Sequence, residues 1–344
     1  MMRLAFIVPA PIDTVSGGYA YDRRIIAGLR DAGHEVHLVE LPGQHPLPDE
    51  VAVAASAASL DALPPQTMPV IDGLALPAFD GCAGLMATRR FVGLIHHPTS
   101  LETGLTEADA AKLRGIEQHL FPRLERVIVT SEPTAEKLVS DFGVDRARIV
   151  VVVPGTDAAP RAPGSGGPGC AILSVAALVP RKGHDVLMRA LARLFDLDWH
   201  LTIAGGARDA VHAHRLQALA DELKIAQHVT FAGELQGEAL EALWQRADLF
   251  ALATHYEGYG MAVAEALKRG LPVVVTSGGA AGALVSPQAG VVCHPGDVPT
   301  ISKSLRRMIF DVELRRECAD VAWEIGQTLP GWSAQARAFA DAVA

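Results

Sequence analysis

The stretch at residues 249–275 is the sequence feature that most constrains the fold. A short apolar run at 249–253 is followed by a turn containing Gly258 and Gly260 and then by a helix of small residues, Met261–Lys268. A second apolar run at 271–275 closes the stretch. Two fully apolar strands joined by a helix are typical of a βαβ unit, whose parallel sheet is covered by helices on both faces. The stretch therefore predicts an α/β fold with parallel sheets.

Two carboxylates, Glu257 and Glu265, flank this glycine turn. Helical side chains lean toward the helix N-terminus, and the helical rise is only about 1.5 Å per residue, so both acids can face the carboxyl end of the strand. Ligands of open parallel sheets bind at that end, glycine lets backbone approach them, and a helix N-terminus attracts phosphate. Phosphate-binding amides beside carboxylates that accept hydrogen bonds from hydroxyl groups predict a nucleotide-sugar site. Alternatively, Glu257 only caps the helix or balances its dipole.

The loop at residues 178–185 carries the second signal, because Arg181 and Lys182 precede Gly183 at the end of a predicted strand. Arginine grips phosphate oxygens with a fork of donors, and lysine adds a compact charge. The pair is therefore a candidate for neutralising a departing diphosphate. Such pairs are also common on solvated surfaces, and that alternative stays open.

The chain divides around a segment rich in proline and glycine. At 344 residues it is long enough for two domains, and residues 158–169 have the composition of a linker. We predict domains at 1–157 and 170–330, followed by a final segment at 331–344. In the first domain, Gly17 and Gly18 follow an apolar strand, and His96 and His97 follow another.

Together these motifs resemble the signature of the family 4 (GT4) retaining glycosyltransferases of the GT-B fold. The matching parts are the acid, glycine, aromatic and glycine at 257–260, the second acid Glu265, and the Gly-x-Pro-Val-Val segment at 270–274. The resemblance implies two facing doubly wound Rossmann-like domains with an interdomain cleft. Residues 170–330 would bind the nucleotide sugar, residues 1–157 would bind mainly the acceptor, and the helix at 331–344 would cross back to the first domain.

The resemblance also implies roles for particular residues. The expected catalytic residues are His97, Glu257, Lys182 and Arg181. His97 is favoured over His96 because it is nearer the predicted strand end, although either imidazole could simply cap that end. The expected substrate-binding residues are Gly17, Gly18, Gly205, Leu235, Gly258, Tyr259, Gly260, Met261 and Glu265. No metal ligands are expected, because no histidine spacing supports a site.

The implied function is transfer of a hexosyl group from a nucleoside-diphosphate sugar, a UDP-sugar being the expected donor, to a hydroxyl of a small-molecule, glycan or lipid-linked acceptor. Configuration would be retained, and neither metal nor cofactor is expected. Small residues at 278–282 replace the acid that relatives often carry. Whether a chain with this loop turns over its substrate is therefore left open. The alternatives are a GT-B sugar-nucleotide epimerase, a non-catalytic nucleotide-sugar-binding subunit, and a dinucleotide-dependent oxidoreductase. The last is disfavoured because Gly-x-Gly-x-x-Gly is absent.

Charge and cysteine content limit the partners. The net charge is −9 with no basic run, so no nucleic acid is expected. Residues 1–157 hold 13 Lys and Arg against 20 Asp and Glu, so no stable docking to an anionic membrane is expected. The four cysteines are far apart, the first apolar run is too short for a signal peptide, and no apolar stretch is long enough to span a membrane, which predicts a cytoplasmic protein.

Overall fold

The computed structural model describes residues 1–82, 84, 89–102 and 104–344. The chain forms two units, one of Met1–Gly155 with Pro330–Ala344 and the other of Thr156–Leu329. We call them unit 1 and unit 2. Each unit holds one six-stranded sheet whose strands pair in parallel.

Strands and helices alternate along the chain. The strands are β1 (Arg3–Pro9), β2 (Glu35–Leu41), β3 (Met68–Asp72), β4 (Val92–Ile95), β5 (Arg126–Val129), β6 (Ile149–Val151), β7 (Cys170–Val175), β8 (Trp199–Ala204), β9 (Val229–Gly233), β10 (Leu249–Leu252), β11 (Val273–Thr276) and β12 (Gly290–Cys293). The α-helices are α1 (Gly17–Asp31), α2 (Glu50–Ala62), α3 (Glu107–Leu120), α4 (Glu132–Phe142), α5 (His184–Leu191), α6 (Ala210–Glu222), α7 (Gly237–Arg246), α8 (Met261–Lys268), α9 (Val298–Phe310), α10 (Val312–Thr328) and α11 (Trp332–Val343).

The sheet of unit 1 has the order β2-β1-β3-β4-β5-β6. The chain moves outward from β1 to β2 and then returns to build β3 on the other side of β1. Ligands of doubly wound folds bind outside the carboxyl ends of the strands at such a reversal. In unit 1 this point lies between β1 and β3, so the loop after β1 and the end of β3 are its candidate positions.

The final helix completes unit 1. The Phe339 ring of α11 lies 5.5 Å from that of Phe6 on β1, and the Gln335 side chain donates a 2.6 Å hydrogen bond to the Val153 carbonyl. A Cβ at Gly28 of α1 would lie 2.5 Å from the Cβ of Ala336, so glycine lets the two helices approach closely. Residues at the end of the chain therefore belong to the core of its first half.

The sheet of unit 2 has the order β12-β11-β10-β7-β8-β9. Its strand β10 is entirely buried, as expected for the all-apolar run that predicted it. The reversal lies between β7 and β10, the strands that precede the two motifs singled out by the sequence. Within the described residues, no helix has the length and apolar character needed to cross a membrane.

Two element ends near the predicted site residues are set by the structure. The helix after the Arg-Lys-Gly turn is His184–Leu191, and β9 ends at Gly233, so Leu235 lies in the following loop. The helix Met261–Lys268 has the predicted bounds. The apolar pattern locates an element well, but its ends depend on caps and loop contacts that the pattern does not contain.

Candidate active site

The loops after β7 and β10 pack directly against each other at the reversal point of unit 2. Gly183 has a φ of +64°, and a Cβ there would lie 2.0 Å from the carbonyl oxygen of Ala253. A side chain is therefore excluded both by the left-handed conformation and by the neighbouring backbone. Glycine at this position lets the Arg181–Lys182 turn lie against the end of β10.

Hydrogen bonds fasten the same two loops. The Arg181 guanidinium donates a 2.7 Å bond to the carbonyl of Tyr256. In return, the Arg181 carbonyl accepts bonds from the His255 amide at 2.8 Å and the Thr254 hydroxyl at 3.0 Å. The backbone that carries Arg181 and Lys182 is therefore fixed relative to the glycine turn.

Lys182 and Glu257 form an ion pair between the ammonium Nζ and the carboxylate Oε1. Their side chains are only 17% and 10% exposed. The sequence motifs that contain them lie 75 residues apart, and the fold brings them together. A cation and a carboxylate side by side can hold a phosphate oxygen and a sugar hydroxyl, respectively.

The glycine turn leads into the N-terminus of α8. Gly260 has a φ of +102° and precedes Met261, and no side chain caps this end of the helix. The first amides of α8 therefore keep the partial positive charge that attracts phosphate. Tyr259 is 8% exposed, and burial raises the pKa of its phenol to about 12, so the ring anchors the turn in its neutral form. Glu265 is half-buried one turn further along the helix.

The small residues at 276–282 support Glu257. The Glu257 amide donates a 3.0 Å bond to the carbonyl of Gly278, and the Glu257 carbonyl accepts one of 2.8 Å from the amide of Ala280. A Cβ at Gly278 would lie 2.2 Å from the carbonyl oxygen of His255. A Cβ at Gly279 would lie 2.1 Å from the carbonyl oxygen of Glu257. Two of the small residues that replace the expected acidic segment are thus required by close backbone packing.

Gly205 and Leu235 lie further along the same sheet edge. A Cβ at Gly205 would lie 1.9 Å from the carbonyl oxygen of Ala176, so packing against the end of β7 explains this glycine. Leu235 follows β9, the edge strand two positions from β7, and is half-buried. Close packing therefore explains why glycine occupies position 205. The ligand contacts predicted for Gly205 and Leu235 stay predictions.

In unit 1 the predicted Gly17 and Gly18 begin α1, which Ser16 caps by accepting a 3.2 Å bond from the Tyr19 amide. A Cβ at Gly18 would lie 3.2 Å from the ring of His96. The glycine turn therefore lies directly against the imidazole of His96.

His96 belongs to a buried cluster with two aspartates. Its Nε2 lies 3.1 Å from Oδ1 of Asp22 on α1 and 3.4 Å from Oδ2 of Asp72 at the end of β3. Burial alone would lower the pKa of His96, but the two carboxylates outweigh it and raise that pKa to about 10. Burial raises the pKa of Asp22. The three donor atoms lie within 4.8 Å of one another, a spacing open to a metal ion, although Nε2 is already placed to bond both acids.

His97, the histidine favoured by the sequence, points to a different partner. Its Nε2 lies 2.8 Å from the carboxylate of Glu102. The loop between them is held by the buried Glu117 of α3, which accepts a 2.8 Å bond from the Thr99 hydroxyl and a 3.3 Å bond from the Ser100 amide. The ring of His96 therefore lies against Gly18 and the two aspartates, whereas the ring of His97 pairs with Glu102.

Three residues near these sites were not predicted. Asp22 lies on α1, the helix after β1, and Asp72 is the last residue of β3. Because β1 and β3 are neighbours, knowledge of the strand order would have indicated both aspartates. His184, the first residue of α5, is fully buried, and that burial, with the nearby charge of Lys182, lowers its pKa to about 4. Its position directly after the Arg-Lys-Gly turn was the available signal.

Comparison with known proteins relates both units to one class of enzyme. The family model "Glycosyltransferase Family 4" matches residues 16–159, and "Glycosyl transferases group 1" matches residues 159–323. The chain is 35% identical over 219 residues to the D-inositol 3-phosphate glycosyltransferase of Mycobacterium sp. (strain KMS), which covers 58% of this chain and 49% of that protein. The chain spans about half the length of the curated relatives it matches.

Solved structures share the fold across the whole chain. Sucrose-phosphate synthase from Thermosynechococcus elongatus superimposes with a TM-score of 0.83 at 18% identity, covering 99% of this chain and 98% of that one. Anabaena HepE, in a structure with UDP-glucose, superimposes with a TM-score of 0.81 at 17% identity, covering 100% of this chain and 99% of that one. The fold is therefore that of the GT-B glycosyltransferases. With both halves matched by glycosyltransferase models, the chain belongs to the family 4 glycosyltransferases, which confirms the family predicted from the sequence.

Proposed function

We propose that this chain transfers a hexosyl group from a nucleoside-diphosphate sugar to a hydroxyl acceptor, with retained configuration and without a metal ion. The observation that carries the proposal is the Lys182–Glu257 pair, placed at the β7/β10 reversal beside the uncapped N-terminus of α8. A diphosphate needs cations and amides, and a sugar needs carboxylate acceptors. This edge of unit 2 offers both.

In the proposed reaction, the bond between the anomeric carbon and the diphosphate oxygen breaks, and its electron pair leaves with the diphosphate. Lys182, Arg181 and the amides at 258–261 stabilise the negative charge that develops there. Glu257 accepts hydrogen bonds from sugar hydroxyls and stabilises positive charge near the anomeric carbon. The acceptor oxygen then bonds to that carbon on the same face, and its proton passes to the departing phosphate.

Glu265 is proposed to accept hydrogen bonds from the ribose hydroxyls. It lies one turn after the helix N-terminus that would bind the phosphate, and a carboxylate on α8 is held in place by the helix. Because this contact is made only by a nucleotide, Glu265 is the residue whose removal reports most directly on the identity of the ligand.

For unit 1 we propose that the Gly17–Gly18 turn and His96 contact the reacting sugars. The support is the close approach of Gly18 to the His96 ring and the two carboxylates that fix the ring orientation. His97 keeps its predicted role as an alternative, since its pairing with Glu102 fixes that ring as well.

Relatives suggest which compounds to test first. The structure of HepE with UDP-glucose favours UDP-sugars as donors, and the D-inositol 3-phosphate glycosyltransferases favour inositol phosphates as the first acceptors. Free inositol and simple glycosides complete the acceptor set.

A thermal-shift screen tests the donor site. UDP-, GDP- and ADP-sugars, with NAD and NADP as controls, are added to the wild type, to Glu265→Ala and to Glu222→Ala, which removes an exposed glutamate of α6. At about 100 times the Kd, a ligand stabilises by about 2.7 kcal/mol, which raises Tm by several degrees. We expect this rise in Tm with one class of nucleotide sugar, both in the wild type and in Glu222→Ala. We expect no such rise in Glu265→Ala. A shift with NAD alone, or none with any sugar, contradicts the proposal.

Turnover separates the enzyme from its alternatives. We expect release of the nucleoside diphosphate only when an acceptor is present, with no loss on addition of EDTA, and a product with the donor's anomeric configuration by NMR. Conversion of the donor without an acceptor indicates an epimerase. Tight donor binding without turnover across the acceptor set indicates a binding subunit.

A further inference from the structure

A positively charged groove in unit 2 lies between α9 and the turn that follows the C-terminal end of α5. Its volume is about 340 Å³, and it is lined by Arg193, Leu194, Pro299, Ser302, Lys303 and Arg306. Helix α5 begins directly after the Arg181–Lys182 turn and runs away from it, so the groove lies at the opposite end of the helix from the proposed donor site.

Two phenylalanines close in sequence to residues that line this groove are among the most exposed side chains of their size. Phe195 is 91% exposed and Phe310 is 76% exposed. Phe310 lies one helical turn after Arg306 and therefore on the same face of α9. Phe195 lies between Leu194, which lines the groove, and Asp196, whose carboxylate bonds Arg306 at 2.6 and 2.8 Å. Exposed apolar side chains rimmed by polar residues are a feature of interaction surfaces, and here they accompany a charged groove.

The charge of this surface is opposite to that of the whole chain. Along α9, Lys303, Arg306 and Arg307 share the face that is not buried. Arg189 is exposed on α5, and Arg193 is exposed in the turn after that helix. Asp196 pairs with Arg306, whereas Arg193 and Lys303 have no acidic partner among the residues that the structure describes. A chain of net charge −9 thus carries a local cationic surface.

We propose that this surface docks unit 2 onto an anionic lipid bilayer. Arg193 and Lys303 bind lipid phosphates at the groove, while Phe195 and Phe310 enter the boundary between headgroups and acyl chains. Basic residues at an anionic surface contribute roughly 1 kcal/mol each, and apolar side chains add their burial, so the combination favours a membrane over a small anion. The inference is independent of the proposed function.

This surface does not conflict with the charge balance of residues 1–157. That count concerned the acidic first half of the chain, and the groove belongs to unit 2. Screening over about 8–10 Å at physiological salt separates the local surface from the net charge of the molecule.

Vesicle flotation with the full chain tests the proposal. Phosphatidylcholine vesicles with and without phosphatidylglycerol are compared for the wild type, Arg193→Glu/Lys303→Glu and Phe195→Ser/Phe310→Ser. The matched controls are Arg215→Glu/Arg246→Glu, which reverses two other exposed cations of unit 2, and Val211→Ser, which removes an exposed apolar side chain of α6. Circular dichroism and Tm establish that each variant is folded.

We expect the wild type and both controls to float with anionic vesicles only, and binding to fall with salt. Each groove variant should bind roughly tenfold or more weakly. Flotation with neither vesicle, equal flotation with both, or equal loss in the controls overturns the proposal. So does binding of glycerol phosphate without vesicle binding, which indicates a small-anion site, or a preference for single-stranded DNA over anionic vesicles.

Discussion

The two units build chemically opposite sites at the same topological position. In unit 2 the reversal between β7 and β10 carries a lysine, an arginine and an uncapped helix N-terminus around one buried glutamate. In unit 1 the reversal between β1 and β3 carries two buried aspartates around one histidine. The doubly wound fold fixes where the loops converge, and the loop residues alone decide what binds there.

A half-buried histidine and a fully buried one make the same contrast. His96 lies between two carboxylates, which raise its pKa to about 10, so it carries a charge at neutral pH. His184 lies beside Lys182 without a comparable acid, and burial lowers its pKa to about 4, so it is neutral. Burial lowers both values, and the neighbouring charges decide the final direction.

The largest expected effect comes from removing the cation of the unit 2 site. Lys182→Met deletes the charge that is proposed to stabilise the leaving diphosphate and removes the ion pair between Lys182 and Glu257. We expect kcat/KM for nucleotide-sugar turnover to fall about 10²–10³-fold, the usual cost of one electrostatic contact in a transition state.

The control for this change is Lys137→Met, which breaks an ion pair of α4 with Asp141 in unit 1. Its kcat/KM should stay within about twofold of the wild type. Equal losses in both variants would contradict a specific role for Lys182.

The second effect concerns the glycines that pack each site. Gly183→Ala forces a left-handed residue against the Ala253 carbonyl, and we expect about 3–4 kcal/mol of destabilisation in urea unfolding. Gly18→Ala meets only the edge of the His96 ring at 3.2 Å, and we expect a change within about 1 kcal/mol. Equal costs at the two positions would remove the contrast in loop packing.

The third effect is the pH dependence due to His184. Its pKa in the folded state is about 4, below the ordinary 6.5, so the unfolded chain binds the proton first as the pH falls. The contribution of His184 to stability is therefore complete above about pH 6.5 and is lost between about pH 6.5 and 4, by about 3 kcal/mol in total.

Urea unfolding at several pH values measures this loss, with His184→Gln and the exposed His214→Gln compared with the wild type. The decrease in the free energy of unfolding between about pH 6.5 and 4 should become smaller only in His184→Gln. If it becomes equally small in His214→Gln, the burial of His184 does not cause the pH dependence.

The smallest effect is expected at the acidic cluster. Asp22→Asn removes one carboxylate from His96 but leaves Asp72, so we expect about 2 kcal/mol of destabilisation at neutral pH. The pKa of His96 is raised in the folded state, so this stabilisation is complete below the unfolded value and is lost as the pH rises through about 10.

NMR of the His96 ring follows the charge directly. It should remain protonated at about pH 8 in the wild type and titrate at a lower pH in Asp22→Asn. Asp80→Asn, which removes the exposed partner of His119, should leave His96 unchanged. A wild-type midpoint for His96 below about 7 would contradict the account of the cluster.

The comparison also explains what could be predicted from the sequence. The parallel α/β fold and the unit 2 motifs follow from contiguous patterns, since each loop holds its glycines and charges within about ten residues. The cluster of Asp22, Asp72 and His96 is spread over 74 positions and becomes visible only once β1, β3 and β4 are placed side by side. The reason for favouring His97 was wrong, because β4 ends at Ile95 and His96 follows it directly. The contact with Gly18 and Asp22 of α1 involves His96.

The most direct test of the central claim is hydrogen exchange with and without the nucleotide sugar that gives the largest thermal shift. The claim is that the loops after β7 and β10 hold the nucleotide diphosphate. We expect the strongest protection in peptides covering residues 178–184 and 255–265, and its loss in Glu265→Ala. Protection confined to the loops of unit 1, or absent from both of these segments while the ligand is bound, would contradict the account.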